Sequence, residues 1–285
     1  MATEAYVDLH LHTNFSDGTF SPKEVVERSI KCGLRAISIT DHDNTDGIAP
    51  AISAARGSGL EIVPGVELSA DGKNNQEMHI LGYYIQWENN RLQDELRNLQ
   101  DTRQLRAKKM LGRLGQLKIN IPFREVEELA AGGVPGRLHI ARLMLQHGYV
   151  SSTDEAFDRY IGNGKRAYIK KHRLSSQEAI ELIRAVGGIP VLAHPHLLSN
   201  ISSTVANLLV EGLMGIEAYC NCRCPGPSQQ YLKLAKKHHL ISTGGSDCHG
   251  LAKNEVLMGK TKTPYSTLKE LKNALNSHRA LQRSN

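Results

Sequence analysis

Nine residues able to hold a metal ion stand at or beside short apolar runs: His10, His12, Asp17, His42, Glu67, His79, His194, Asp247 and His249. His10 and His12 flank one leucine, and alternate residues of an extended chain point to the same face. Asp17 follows in Ser16-Asp17-Gly18, His42 lies in Thr40-Asp41-His42-Asp43, and Glu67 closes Gly65-Val66-Glu67. His194 belongs to Ala193-His194-Pro195-His196, and Asp247 and His249 to Gly245-Ser246-Asp247-Cys248-His249. A lone histidine beside an apolar strand is ordinarily a satisfied core residue. Six strands each sending ionisable groups to one side are different, because burying them together without counter-charge is prohibitive and divalent cations reverse that balance. Imidazole mixed with carboxylate suits zinc, manganese or iron better than calcium. A catalytic zinc ion takes about three protein ligands, so this donor set implies two or three ions. A carboxylate such as Glu67 has two oxygens with which to bridge neighbours. Such a centre lowers the pKa of bound water and clamps attacking and leaving oxygens. Hydrolysis of a phosphate ester by a metal-bridging hydroxide is the reaction it points to.

The elements that must position these residues are legible too. Apolar runs at 6–12, 35–40, 60–68, 78–85, 189–193, 215–219 and 240–245 alternate with segments of helical period. That alternation predicts an α/β fold with a parallel sheet. Seven strands are enough for a distorted (β/α)7 barrel, in which all C-terminal strand ends meet on one face; an open doubly wound sheet is the alternative. Ser21-Pro22 and Ser175-Ser176-Gln177-Glu178 offer helix starts. The alternation stops between residues 88 and 172, where helices are expected at 88–118, 123–131, 137–147 and 153–161. The chain therefore divides into a barrel domain of residues 1–87 and 173–285 and an inserted all-helical subdomain of residues 88–172.

Composition narrows the class. With 285 residues, 40% hydrophobic and 22% charged, the chain reads as one globular protein. It has no apolar run of about 18 residues that could cross a membrane, and the first twelve residues lack the pattern of a cleaved signal. A cytoplasmic location is expected, with no membrane and no obligate protein partner. The net charge of +6 suits anionic partners. The excess clusters in Arg103, Arg106, Lys108, Lys109 and Arg113, and again in Lys165, Arg166, Lys170, Lys171 and Arg173. An odd number of cysteines without a secretion signal argues for reduced thiols. The run Cys220-x-Cys222-x-Cys224 lacks zinc-ribbon spacing; it is structural or accidental, with redox or metal chemistry as the alternative.

Taken jointly, Asp8-Leu9-His10-Leu11-His12, Ser16-Asp17-Gly18, Thr40-Asp41-His42-Asp43, Gly65-Val66-Glu67, His79, Ala193-His194-Pro195 and Gly245-Ser246-Asp247-Cys248-His249 resemble the PHP (polymerase and histidinol phosphatase) family. The resemblance implies a distorted seven-stranded barrel that commonly holds three ions, often manganese, zinc or iron. It implies that His10, His12, Glu67 and Asp247 hold a first ion. Glu67 would bridge to a second, completed by His79 and His194, and Asp17, His42 and His249 would hold a third. Asp8 looks like a group that fixes histidine orientation from behind, and Asp41 is placed with it. The insertion resembles the branch containing nucleoside 3',5'-bisphosphate phosphatases and 5'-to-3' exonucleases of short RNA. That branch has an Arg-x-His-x-x-Arg stretch near the site, matched by Arg137, His139 and Arg142, which become candidates for binding a substrate phosphate. Two positions depart from the pattern: Cys248 stands where an aromatic residue is usual, and His196 where glycine is common. His196 is a candidate proton donor to the leaving oxygen.

The expected substrate is a nucleotide, such as a nucleoside 3',5'-bisphosphate, or a short 5'-phosphorylated oligoribonucleotide. Histidinol phosphate is the alternative substrate. A binding or regulatory module with a vestigial site is the non-enzymatic alternative, and the full ligand set speaks against it.

Overall fold

The computed structural model describes residues 5–73, 76–130, 133–170, 172–220, 227–252 and 255–283. Cys222, Cys224 and Lys171 lie outside the described residues. The strands are β1 (Tyr6–Leu11), β2 (Ala36–Ile39), β3 (Glu61–Asp71), β4 (Glu77–Tyr83), β5 (Leu174–Ser175), β6 (Ile189–Leu192), β7 (Gly215–Cys220), β8 (Ile241–Gly245) and β9 (Thr263–Pro264). They form one sheet in the order β8-β7-β6-β4-β3-β2-β1-β9, with β5 beside β3. The sheet curls until its ends nearly meet. Leu11 bridges Cys248 in parallel, and the His12 N–H donates to the Cys248 carbonyl at 3.1 Å. Closure depends on Gly245, because a Cβ there would strike the backbone of His10.

The barrel expected from the sequence is present, with two corrections. β4 runs antiparallel to both β3 and β6, so the sheet is not parallel throughout. The reason is the short connection over residues 72–76: a hairpin suffices for antiparallel strands, whereas a parallel crossover needs a dozen or more residues. β4 therefore starts at the mouth of the barrel rather than ending there. His79, near its beginning, still reaches Glu67. The second correction is the strand count, raised by the two-residue strands β5 and β9; β9 pairs antiparallel with the outer edge of β1.

Helices α1 (Pro22–Lys31), α2 (Ile48–Ala54), α7 (Ser176–Ala185), α8 (Ile201–Glu211) and α9 (Pro227–Lys237) pack on the sheet, and α10 (Ser266–Arg283) supplies Leu268, Leu271 and Leu275 to a second apolar cluster with Val7, Leu9, Leu81 and Val191. Capping boxes at Ser21/Glu24 and Ser175/Glu178 start α1 and α7 where their sequences place them. Between β4 and β5 stand α3 (Asn90–Gln116), α4 (Phe123–Leu129), α5 (Arg137–Gln146) and α6 (Thr153–Ala156), which continues into a π-helical turn over Phe157–Ile161. The long helix α3 serves two cores. Leu92, Leu96 and Leu99 pack with the barrel, whereas Ala107, Met110, Leu111 and Leu114 pack with α4 and α5. Its middle, between those two anchorages, carries Arg103 and Arg106 past the barrel mouth. No described helix is long and apolar enough to cross a membrane.

Candidate metal centre

The loops after β1, β2, β6 and β8 and the facing parts of β1, β3 and β4 bring all nine donors together. Their ligand atoms form four overlapping groups, each within 4.8 Å: His10, His12 and Asp247; His12, Asp17, His42 and His249; His10, Glu67 and His194; His42, Glu67 and His79. Glu67 is the hub. Its Oε2 lies 3.2 Å from Nε2 of both His10 and His12 and 3.1 Å from His42 Nδ1. Its Oε1 lies 2.8 Å from His79 Nδ1 and 2.8 Å from His194 Nε2. The two oxygens thus face two sets of imidazoles, as a bridging carboxylate must.

His10 Nε2, both ring nitrogens of His12, His42 Nδ1 and Glu67 Oε2 are buried without a hydrogen-bond partner. Each buried polar atom left unpaired costs about 1–3 kcal/mol, and native proteins seldom concentrate several in one place. All of these atoms can present a lone pair. They fit a divalent cation of the zinc, manganese or iron kind.

Other groups hold the donors in place. Glu217, buried in β7, accepts from His10 Nδ1 at 3.0 Å and from the His194 backbone N–H at 2.8 Å. Asp41 accepts from the Thr13 N–H at 2.7 Å, the Thr13 hydroxyl at 2.6 Å and the Ser16 hydroxyl at 2.5 Å, which fixes the loop that carries Asp17. Asp8 accepts from the backbone N–H groups of Ser246 at 2.8 Å and Gly259 at 3.3 Å. Asp8 therefore ties down the loop bearing Asp247, and it is Glu217 that meets the imidazole of His10. Asp43, His194 and Asp247 have positive φ angles of 50°, 26° and 52°. Such backbone strain collects where surrounding contacts impose a functional geometry.

The metal-free electrostatics follow from this packing. Burial pushes the Glu67 carboxyl up, but His42, His10 and His79 outweigh it and hold the group well below the ordinary range. Asp17 and Asp247 are depressed in the same way by neighbouring histidines. Burial opposes protonation of His12, yet its carboxylate neighbours Asp247, Glu67 and Asp17 raise it to about 10. Depressed carboxylates stabilise the fold above their unfolded pKa of about 4, and that stability is lost as pH falls through their folded values. The raised His12 stabilises the fold fully below about pH 6.5, and that contribution is lost as pH rises toward about 10. Metal reverses the alkaline limb, because ligand imidazoles must be deprotonated to bind. Thermal melts of chelated protein should therefore show falling Tm from pH 6.5 to 10, whereas excess manganese should raise Tm between pH 5.5 and 8. A chelated protein that gains stability across the alkaline range would contradict this balance.

Beside the cluster opens a cavity of about 250 Å³, lined by Asp17, His42 and His79 of the cluster together with Glu77, Arg103, Arg106, Arg137 and His139. Each arginine is held from behind. Arg103 pairs with buried Asp43 at 2.7 Å, Arg106 Nε donates to the Ile169 carbonyl at 2.7 Å, and Arg137 donates to Asn163 at 3.0 Å. Arg137 also lies 5.5 Å from the ring centre of Phe157 and 5.9 Å from that of Tyr168. Burial, reinforced by Arg137, lowers Arg106 to about 10, so it stays cationic at neutral pH.

The pattern of the PHP domain matches residues 8–160. The chain belongs to the PHP domain family. A 5'-3' exoribonuclease of Escherichia coli is 34% identical over 250 residues, spanning 85% of this chain and 84% of that protein. A 3',5'-nucleoside bisphosphate phosphatase of Chromobacterium violaceum is 28% identical over 263 residues, spanning 90% and 92%. A crystal structure of a candidate metal-dependent phosphoesterase from Bifidobacterium adolescentis superposes with a TM-score of 0.85 at 30% identity, covering 94% of this chain and 95% of that one.

Within this PHP domain, a few residues lie elsewhere than their sequence motifs suggest. Arg137 and His139 line the cavity, but Arg142, one turn further along α5, does not. His196 is exposed on the turn Pro195–Leu197, with its ring 6.4 Å from that of His194, and does not line the cavity. Arg103 and Arg106 stood out in the sequence only as members of a basic stretch; their approach to His42 depends on how α3 crosses the barrel. Glu217 belongs to none of the motifs. Its signal was present: a lone acidic residue in the apolar run Gly215-Ile216-Glu217-Ala218, on the one strand that contributed nothing to the expected site.

Proposed function

We propose that this chain hydrolyses phosphate esters of nucleotides, removing a phosphate from a substrate such as a nucleoside 3',5'-bisphosphate or trimming short 5'-phosphorylated oligoribonucleotides. It is a metal-dependent phosphoesterase. The observation that carries the reading is a nine-donor cluster, three of whose members (Asp17, His42 and His79) line one cavity with Arg103, Arg106 and Arg137. His10, His12, Asp247 and Glu67 would hold one ion, Glu67, His79 and His194 a second, and Asp17, His42 and His249 a third. Two or three ions of manganese, zinc or iron suit these donors. Bound there, the cations would supply a nucleophile ionised near neutral pH and stabilise the attacking and leaving oxygens.

The chain's own residues bind and orient. Arg103, Arg106 and Arg137, anchored by Asp43, Ile169 and Asn163, present guanidinium groups that need little reorganisation to meet phosphate oxygens. His139 Nδ1 accepts from the Gly136 N–H at 3.0 Å, which leaves its Nε2–H as a neutral donor. Burial, with Arg142 nearby, keeps that imidazole below its ordinary pKa. The insertion of residues 88–172 acts as the substrate-binding wall. His196, exposed beside His194 and outside the cavity lining, remains the candidate proton donor to the leaving oxygen. Histidinol phosphate carries an amine and an imidazole, which an arginine-lined wall disfavours. The relatives' names, an exoribonuclease and a nucleoside bisphosphate phosphatase, support nucleotide substrates.

Manganese-loaded protein assayed against adenosine 3',5'-bisphosphate, a 5'-phosphorylated RNA pentamer, histidinol phosphate and p-nitrophenyl phosphate tests the reading. Turnover of the first or second at least about tenfold above the others is expected, the discrimination that 1.4 kcal/mol provides. Preference for histidinol phosphate, or no hydrolysis by protein shown to contain metal, would overturn it.

A further inference from the structure

We infer that Glu217 is a positioning residue that fixes the ligand atoms of two ion positions with one carboxylate; this rests on the metal reading above. Glu217 is 1% exposed. Its Oε1 is 3.0 Å from His10 Nδ1, and its Oε2 accepts the His194 backbone N–H at 2.8 Å. A carboxylate oxygen accepts, so the hydrogen of the His10 ring sits on Nδ1. Nε2 is left with its lone pair, buried without a hydrogen-bond partner, 3.2 Å from Glu67 Oε2 and 3.5 Å from Asp247 Oδ1. The other tautomer would put a hydrogen on the atom that faces the cluster.

The second contact acts on backbone rather than on a ring. His194 has φ 26° and ψ 61°, a conformation an L-residue adopts only when held. Its N–H bond to Glu217 spans from β7 to the loop after β6 and holds that peptide while the ring places Nε2 2.8 Å from Glu67 Oε1. His10 and His194 approach opposite oxygens of Glu67. One buried carboxylate thus sets the tautomer of one ligand and the backbone of another, on either side of the bridging group. The two ion positions should respond together when it is changed.

Glutamine in its place keeps the shape but has one acceptor oxygen, so it cannot serve both donors. If the amide nitrogen faces His10, it forces the wrong tautomer; if it faces the His194 N–H, two donors meet. Metal content and affinity of Glu217→Gln, measured by elemental analysis after chelation and titration with manganese or zinc, should show roughly a 10- to 100-fold loss of affinity. More than one ion should be affected. Nitrogen-15 spectra of the zinc-loaded wild-type protein should place the His10 hydrogen on Nδ1, a measurement that needs no folded variant. Wild-type affinity in a folded Glu217→Gln, or a hydrogen on His10 Nε2, would overturn the inference while leaving the metal centre standing. A wild-type protein that binds no manganese or zinc would overturn the metal centre and this inference with it.

Discussion

Replacing Glu67 by glutamine is expected to lower kcat by at least about 1,000-fold, a barrier increase of about 4 kcal/mol. Glu67 is fully buried and touches five imidazoles, from His10, His12, His42, His79 and His194. Glutamine preserves the volume but removes the negative charge and turns one end into an N–H donor aimed at ring nitrogens. Because Oε1 and Oε2 face different imidazoles, either orientation of the amide sets a donor against at least two of them. Elemental analysis should show ion loss in parallel with the loss of turnover. Circular dichroism should show the barrel intact, since the main apolar clusters do not include Glu67. A Glu67→Gln variant that retained wild-type metal content and turnover within tenfold would remove Glu67 from the centre of the site.

The difference between Glu67 and Glu217 shows what the sequence made legible. Glu67 closes an apolar run whose neighbours in the alternating pattern also end in His or Asp, so convergence on one barrel face could be inferred from topology alone. Glu217 sits within a strand, with no partner residue in its own segment. Its role depends on which ring nitrogen and which peptide it meets, and pairing across 207 residues leaves no local spacing to read. The antiparallel β4 was readable, because residues 72–76 are too few for a crossover; strand–helix alternation elsewhere outweighed that cue. Asp8 shows the converse. Its place in Asp8-Leu9-His10-Leu11-His12 suggested a partner for a histidine ring, yet the closing sheet puts the backbone N–H groups of Ser246 and Gly259 within reach of its oxygens. Helix boundaries in the insertion followed from glycine and proline punctuation. The approach of α3 to His42 did not, because it is set by packing in two separate cores.

Arg137→Ala is expected to lower kcat/KM for adenosine 3',5'-bisphosphate by about 100-fold, the scale of removing one preorganised donor from a developing or resident anion. Arg137 lines the same cavity as His42 and His79 and is braced by Asn163, Phe157 and Tyr168. Lysine at the same position should recover little, since it lacks the planar fork and stacks poorly on the two rings. Arg159, exposed, paired with Glu155 and absent from the cavity wall, provides the matched control: Arg159→Ala should stay within about threefold of wild type, the range of an exposed ion pair. The substrate comparison makes the assignment sharper. A wall that holds a phosphate not undergoing reaction should cost the bisphosphate far more than p-nitrophenyl phosphate, which has no second anion to place there. Equal losses for both would put the Arg137 guanidinium on the reacting phosphate, and no loss for either would remove the insertion from substrate binding.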